Sequence, residues 1–212
     1  MSVPAAHTDR INFCRHGEGF MWRKPSESFR PELAGEDPYH DQLPLDRAVP
    51  LWGGVASGGF AVVAFHKEKK LTKRRWAELV DAGKLDGAIK KLKPVSVDGP
   101  WHALCDNEGF LASKESSVAC KRAGVKLWRI PSKSPDLNPV ERFWSWLKKK
   151  LRHMDLTDAL RGKPALTKPA YRARVRGVLR SKKAQHIAKT YANSLRTVCK
   201  AVLKNRGAAT GF

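Results

Sequence analysis

At 212 residues and 23.7 kDa, with 42% hydrophobic and 29% charged residues, the chain has ordinary globular composition and the length of one domain, or of one domain with a helical appendage. No apolar run approaches the roughly 18–20 residues that span a bilayer, and MSVPAAHTDR lacks a charged-then-apolar signal segment, so membrane insertion and secretion are disfavoured. Lys and Arg number 41 against 20 Asp and Glu, a net charge of +21 that points to a polyanionic partner, nucleic acid first.

In chain order, residues 24–50 are broken by Pro, acidic and short polar residues and read as an irregular connection. Val49–Val55 and Phe60–Phe65 are β-type runs around Ser57-Gly58-Gly59, a hairpin signal. Thr72 is placed to cap a helix with Trp76, Leu79 and Val80 on one face and Gly83 as its stop. A second helix carries Leu85, Ala88, Ile89 and Leu92 and ends by Pro94.

WHALC (101–105) is a bounded apolar run, read as a strand buried on both faces and central in the sheet. Residues 113–123 read as a helix stopped at Gly124, and VKLWRI (125–130) as a strand. After SKSPDLNP comes a helix with Val140, Phe143, Trp144, Leu147 and Leu151 on one stripe. Two more helices follow Thr167, the first carrying Tyr171, Val175, Val178 and Leu179, the second Ile187, Tyr191, Leu195, Val198 and Val202. Strands first, then alternating helix and strand, then a helical tail define an α/β layer with a mixed sheet.

The charge is uneven. Residues 1–50 hold 6 basic and 8 acidic side chains, residues 151–212 hold 15 basic and 2 acidic. The tail is therefore expected to supply much of the attraction to nucleic acid, and the runs 67–75 and 148–152 are further basic patches. Cys14, Cys105, Cys120 and Cys199 are widely spaced with no C-x-x-C pair, which suggests reduced thiols rather than zinc or disulfides.

Two carboxylates stand where chemistry is plausible. Asp106 emerges at the C-terminal end of the WHALC strand, the edge at which open α/β sheets place ligand groups; Asp-Asn after a strand is equally a turn opener. Glu141 is the third residue of the helix after Asn138 (an N-cap) and Pro139, where a capping box would also explain it. A strand-end acid and a helix-start acid can converge on one hard cation, and phosphoryl transfer on nucleic acid uses such sites.

LCDN, 34 intervening residues, and Glu141 within PSKSPDLNPVERFWSWLKKKL closely resemble the catalytic domain of mariner-superfamily DDE transposases, and LWGGVASGGF resembles that family's Trp-Gly hairpin. The resemblance covers about residues 9–152. It implies a ribonuclease-H-like mixed sheet with flanking helices over 1–155, followed by a basic helical extension over 156–212. It also implies a metal-binding and catalytic triad of Asp9, Asp106 and Glu141. Asp9 is chosen because Phe13, Gly17 and Trp22-Arg23 match the family spacing. Departures are Arg10 where the family usually has Glu, Leu111 where it often has His, and MSVPAAHT, a weak strand former, ahead of Asp9.

The implied activity is transposase-type DNA endonuclease and strand transfer with Mg²⁺ or Mn²⁺, two ions. The partners are DNA, with no membrane and no small-molecule substrate, and a homo-oligomer left open. The implied location is intracellular, in the nucleus for a eukaryotic source. The family's paired helix–turn–helix region would precede these residues, so the chain reads as a catalytic domain on its own. Two rival readings stand beside this one. The first is a catalytically inactive, transposase-derived DNA-binding remnant. The second is a basic scaffold or RNA-binding protein whose acids only cap turns and helices.

Overall fold

The computed structural model describes residues 5–14, 48–65, 71–92, 101–131 and 134–206, with residues 5–14 and 48 described for the backbone alone. Of the connection expected over 24–50, residues 24–47 lie outside the described residues and 48–50 open the second strand instead; residues 67–70 of the first basic patch also lie outside. Five strands form one sheet in the order β3-β2-β1-β4-β5. They are β1 (Ala5–Cys14), β2 (Ala48–Ala56), β3 (Gly59–Phe65), β4 (Trp101–Cys105) and β5 (Val125–Arg129). β1 pairs antiparallel with β2 and parallel with β4, and β4 pairs parallel with β5. This is the mixed sheet expected.

β1 departs from the sequence reading. Its residues are weak strand formers in isolation, yet it lies inside the sheet with a ladder on each side. Strand preference reflects neighbours more than intrinsic tendency, and two ladders override a poor local score.

Alternation along β2 distributes its side chains between two cores. Trp52 and Ala56 face one side, where α1 (Lys73–Asp81), α2 (Lys84–Leu92) and α3 (Lys114–Arg122) pack with Trp76, Leu85, Ile89, Ala119 and Cys120. Val49, Leu51 and Val55 face the other side, against α4 (Pro139–Leu160), α5 (Lys168–Arg180) and α6 (Lys182–Lys204). Thr72 caps α1 as expected, its hydroxyl accepting from the Arg75 N–H at 3.2 Å. On β4 only Ala103 and Cys105 are fully buried; His102 and Leu104, on the second face, are half-buried. The expected burial on both faces therefore holds for one. The strand is still interior in the sheet, flanked by β1 and β5.

The C-terminal helices belong to the same body. α4 runs unbroken through 155 and 156, and α5 and α6 bury Tyr171, Val175, Leu179, Ala184 and Ala188 in the core that also holds Leu51 and Phe143. Arg174 bridges Asp155 and Asp158, and Lys163 reaches Asp158 at 3.0 Å. The Lys163 ammonium, then Arg174, hold the Asp158 carboxyl below its ordinary range. A carboxyl held low stabilises the fold above its unfolded pKa and loses that contribution as pH falls through the folded value, so this clamp weakens only in acid.

The hairpin tip is tied to α6 by one side chain. Gln185 Oε1 accepts from the Phe60 N–H at 2.9 Å, and its Nε2 donates to the Leu179 carbonyl at 2.8 Å. Gly59 sits at φ +122°, and a Cβ there would meet Gln185 Oε1 at 2.3 Å, so the close approach requires glycine. Gln185→Ala leaves two backbone groups without these partners, and should cost about 1–2 kcal/mol. Urea denaturation should show a lower midpoint with an unchanged slope.

Candidate active site

Asp106 follows β4 directly and is half-buried. Its Oδ1 accepts from the Glu108 N–H at 3.3 Å, an Asx turn. The next side chain, Asn107, donates from Nδ2 to the Ile130 carbonyl at 2.6 Å, and the Ile130 N–H donates to the Cys105 carbonyl at 3.0 Å. The turn that carries Asp106 is thus fastened to the end of β5.

Asp9 is placed by backbone register. Thr8 pairs with Cys105 across the parallel ladder, so Asp9 and Asp106 are each the next residue along their strands. Across the antiparallel ladder Asp9 pairs with Gly53, which lies between Leu51 and Val55 on β2, both in the core beneath α4. Gly53 has no room for a side chain, since a Cβ would meet the Phe60 ring at 2.6 Å. The Asp9 side chain lies outside the described residues.

Glu141 enters from α4. A 3-10 turn over Pro135–Leu137 leads into Asn138, and Pro139 occupies the first turn of the helix. Val140, Phe143, Trp144, Leu147 and Leu151 anchor the helix in the core, with Phe143 stacked on Phe60 at 4.7 Å. Trp144 is buried and Trp146 half-buried, as two residues that cannot share a face require. On the solvent side of this turn, Arg142 donates to Ser194 Oγ at 3.1 Å and lies 4.6 Å over the Tyr191 ring. α6 therefore braces the start of the helix that bears Glu141.

The capping box suggested by Asn-x-x-Glu is not formed. The Glu141 N–H bonds the Asn138 carbonyl at 3.0 Å, and the Asn138 side chain makes no cap bond. Asn138 is 1% exposed, and both of its amide atoms are buried without a hydrogen-bond partner. The Glu141 carboxylate has no hydrogen bond or ion pair among the described residues. Helix capping therefore does not account for either side chain, and a buried amide left unpaired is costly.

Asp106 and Glu141 offer hard oxygen donors of the kind Mg²⁺ and Mn²⁺ take, and the orphaned Asn138 amide one turn before Glu141 is a polar group suited to a carboxylate or a bound water beside it. The donor set fits such an ion. No group of three or more His, Cys, Asp or Glu side chains able to hold a metal occurs among the described residues, which do not include the Asp9 side chain. The sequence pointed to Asp106 and Glu141, but not to the unpaired Asn138 amide or the Arg142 brace. Neither leaves a local pattern, because both depend on what packs around the loop.

A mixed sheet ordered 3-2-1-4-5, with helices on both faces and acids at the ends of its inner strand and first-turn helix, defines the ribonuclease-H-like class. Residues 22–161 match the family described as DDE superfamily endonuclease, and the chain belongs to that family. It carries a DDE-type endonuclease domain. No curated protein sequence matches.

Among solved structures, the Mos1 transposase catalytic domain with raltegravir and Mn is similar at TM-score 0.57 and 11% identity, over 79% of this chain and 80% of that one. The Mos1 mariner paired-end complex with Mn is similar at TM-score 0.61 and 12% identity, over 96% of this chain and 56% of that one. A pre-cleavage Mos1 transpososome is similar at TM-score 0.60 and 11% identity, over 98% of this chain and 56% of that one. The chain thus spans about half the length of the protein in those assemblies. At these identities the likeness is one of fold.

Proposed function

We propose that the domain cuts and joins DNA phosphodiesters with Asp9, Asp106 and Glu141 as its metal-holding acids. The observation that supports this reading is the ladder register, Thr8 to Cys105, which makes Asp9 and Asp106 the next residues after a paired position on β1 and β4, with α4 packed on the β2 face that holds Leu51 and Val55. Two divalent ions, Mg²⁺ or Mn²⁺, bound there would activate the attacking water or 3′-hydroxyl and stabilise the departing oxygen.

The chain's own residues supply the frame. Asn107 and Ile130 fix the turn bearing Asp106. Arg142 and Tyr191 hold the first turn of α4. The Glu141 carboxylate is kept out of local pairing.

DNA is the partner, consistent with the net charge of +21 and with similar Mos1 structures that are paired-end complexes and a strand transfer complex. Those complexes also support pairing of two copies on DNA, and a DNA substrate in a eukaryote supports a nuclear site of action. An inactive DNA-binding remnant is the competing reading, with Arg10 and the weak β1 sequence in its favour. Nicking of supercoiled plasmid decides between them. The wild-type chain should nick with Mg²⁺ or Mn²⁺ and stop in EDTA, whereas DNA retarded in a gel but never nicked would establish the remnant.

A further inference from the structure

α5 carries Arg172, Arg174 and Arg176 on successive alternate positions, and they meet different fates. Arg174 takes the two carboxylates that α4 offers, Asp155 and Asp158. Arg172 and Arg176, one helical turn apart, both lie over the ring of Phe65 at the end of β3, each guanidinium 4.8 Å from its centroid. Neither has a carboxylate partner among the described residues. The Arg172 Nε is buried and makes no hydrogen bond.

Two like charges at i,i+4 destabilise a helix, and here they are pressed onto one ring. Burial, then the charge of Arg176, hold the Arg172 guanidinium below its ordinary pKa. Attraction to the ring quadrupole offsets part of this repulsion, and the outer N–H groups, Arg176 being exposed, remain open to an acceptor from solvent. α5 is itself fixed by Arg174 and by Tyr171, Val175 and Leu179 in the core, which holds the backbones of Arg172 and Arg176 in place beside Phe65.

We infer that Arg172, Arg176 and Phe65 form an anion site whose ligand is one phosphodiester of the DNA backbone, shared between the two guanidiniums. Forked donors match phosphate oxygens, and an anion shared by the outer N–H groups of the two cations relieves their repulsion. The choice of DNA as the phosphate source rests on the function proposed above; the anion chemistry does not. Contacts of this kind position a duplex without reading sequence.

The test uses the full chain in EDTA, with binding to a short labelled duplex measured across KCl concentrations. Arg172→Gln, Arg176→Gln and the double variant should each weaken binding about tenfold. Each should also flatten the slope of log affinity against log salt by about 0.9, the value for one phosphate. Near-equal losses in singles and double are the signature of a shared ligand. A double variant that loses twice as much as each single means separate phosphates and overturns the site, as does an unchanged slope. Arg172→Lys, which keeps the charge and the packing stem, should recover part of the affinity and guards against a folding defect. Lys189→Gln with Lys200→Gln, on exposed faces of α6, is the charge-matched control and should cost less than the arginine pair.

Inorganic phosphate separates the sources. A rise in melting temperature with free phosphate that the double variant lacks, together with unaltered DNA binding, would assign the site to a free anion and overturn the DNA assignment. A wild-type chain that binds no DNA sinks both this inference and the proposed function. A chain that binds and nicks DNA, with the arginine variants unaltered, sinks this inference alone.

Discussion

Asp106→Asn should abolish metal-dependent nicking while leaving DNA binding in EDTA equal to wild type or slightly tighter. The substitution keeps size and the turn geometry, because Asn Oδ1 can still accept from the Glu108 N–H that Asp106 now holds. What it removes is the charge that retains a divalent ion. Groups outside the first coordination shell are already worth 10–100-fold in metal affinity or activity, so loss of a ligand should reduce nicking by about a hundredfold or more. Without metal, the carboxylate only repels DNA phosphates, hence the equal or tighter binding.

Glu141→Gln should behave alike. Its stability cost should be small, because the Glu141 side chain makes no cap bond that the amide could lose. A helix-capping role forecasts unchanged nicking for both variants, since Gln serves the third helical position as Glu does. Plasmid nicking run beside a gel shift in EDTA, with a thermal melt of each variant, decides between the two. If wild type and both variants nick equally, the carboxylate assignment is wrong.

The parts of the fold that sequence made legible are those whose signal is local. Thr72 with Trp76, Leu79 and Val80 states a cap and a buried face within nine residues, and α1 follows it. Ser57-Gly58-Gly59 between two β-branched and aromatic runs states a hairpin, and β2 and β3 follow that. The long stripe from Val140 to Leu151 states α4. β1 was not legible in this way. His7, Asp9, Arg10 and Asn12 give no apolar alternation, and the strand exists because β2 and β4 supply hydrogen bonds on both edges.

The site divides along the same line. Asp106 and Glu141 sit at the strand end and the first helical turn named from sequence. Their surroundings come from contacts 23 and 52 residues apart, Asn107 with Ile130 and Arg142 with Ser194. Asn138 is the instructive case. Its type and position are right for an N-cap, and it is the residue before Pro139, but burial at 1% exposure leaves its amide turned away from the helix N–H groups.

Removing α5 and α6 should unfold the domain rather than merely weaken its hold on DNA. A division at 155/156 suggests an appendage that could be cut away, with a flatter salt slope as the only consequence. The core argues otherwise. Tyr171, Val175, Val178 and Leu179 are buried against the sheet face that holds Val49, Leu51 and Val55, and Ala184 and Ala188 let α6 close over it. Each large side chain contributes about 1.5–3 kcal/mol by burial, so the four together approach the whole stability of an average domain, about 5–15 kcal/mol.

A chain ending at Gly162 should therefore lose its cooperative urea transition and become readily proteolysed within β2, β3 and α4. It would also lose the Gln185 tie to the hairpin and the Arg142 brace on Tyr191 and Ser194. The charge of the tail is separable from its packing. Lys182, Lys183, Lys189, Lys200 and Lys204 are exposed, and changing all five to Gln should shift stability little, since exposed substitutions usually stay within about 0.5 kcal/mol each. The same change should weaken DNA binding and flatten its salt dependence. If the truncated chain instead melts cooperatively near the wild-type temperature, α5 and α6 are an appendage after all, and the brace on Glu141 carries no weight.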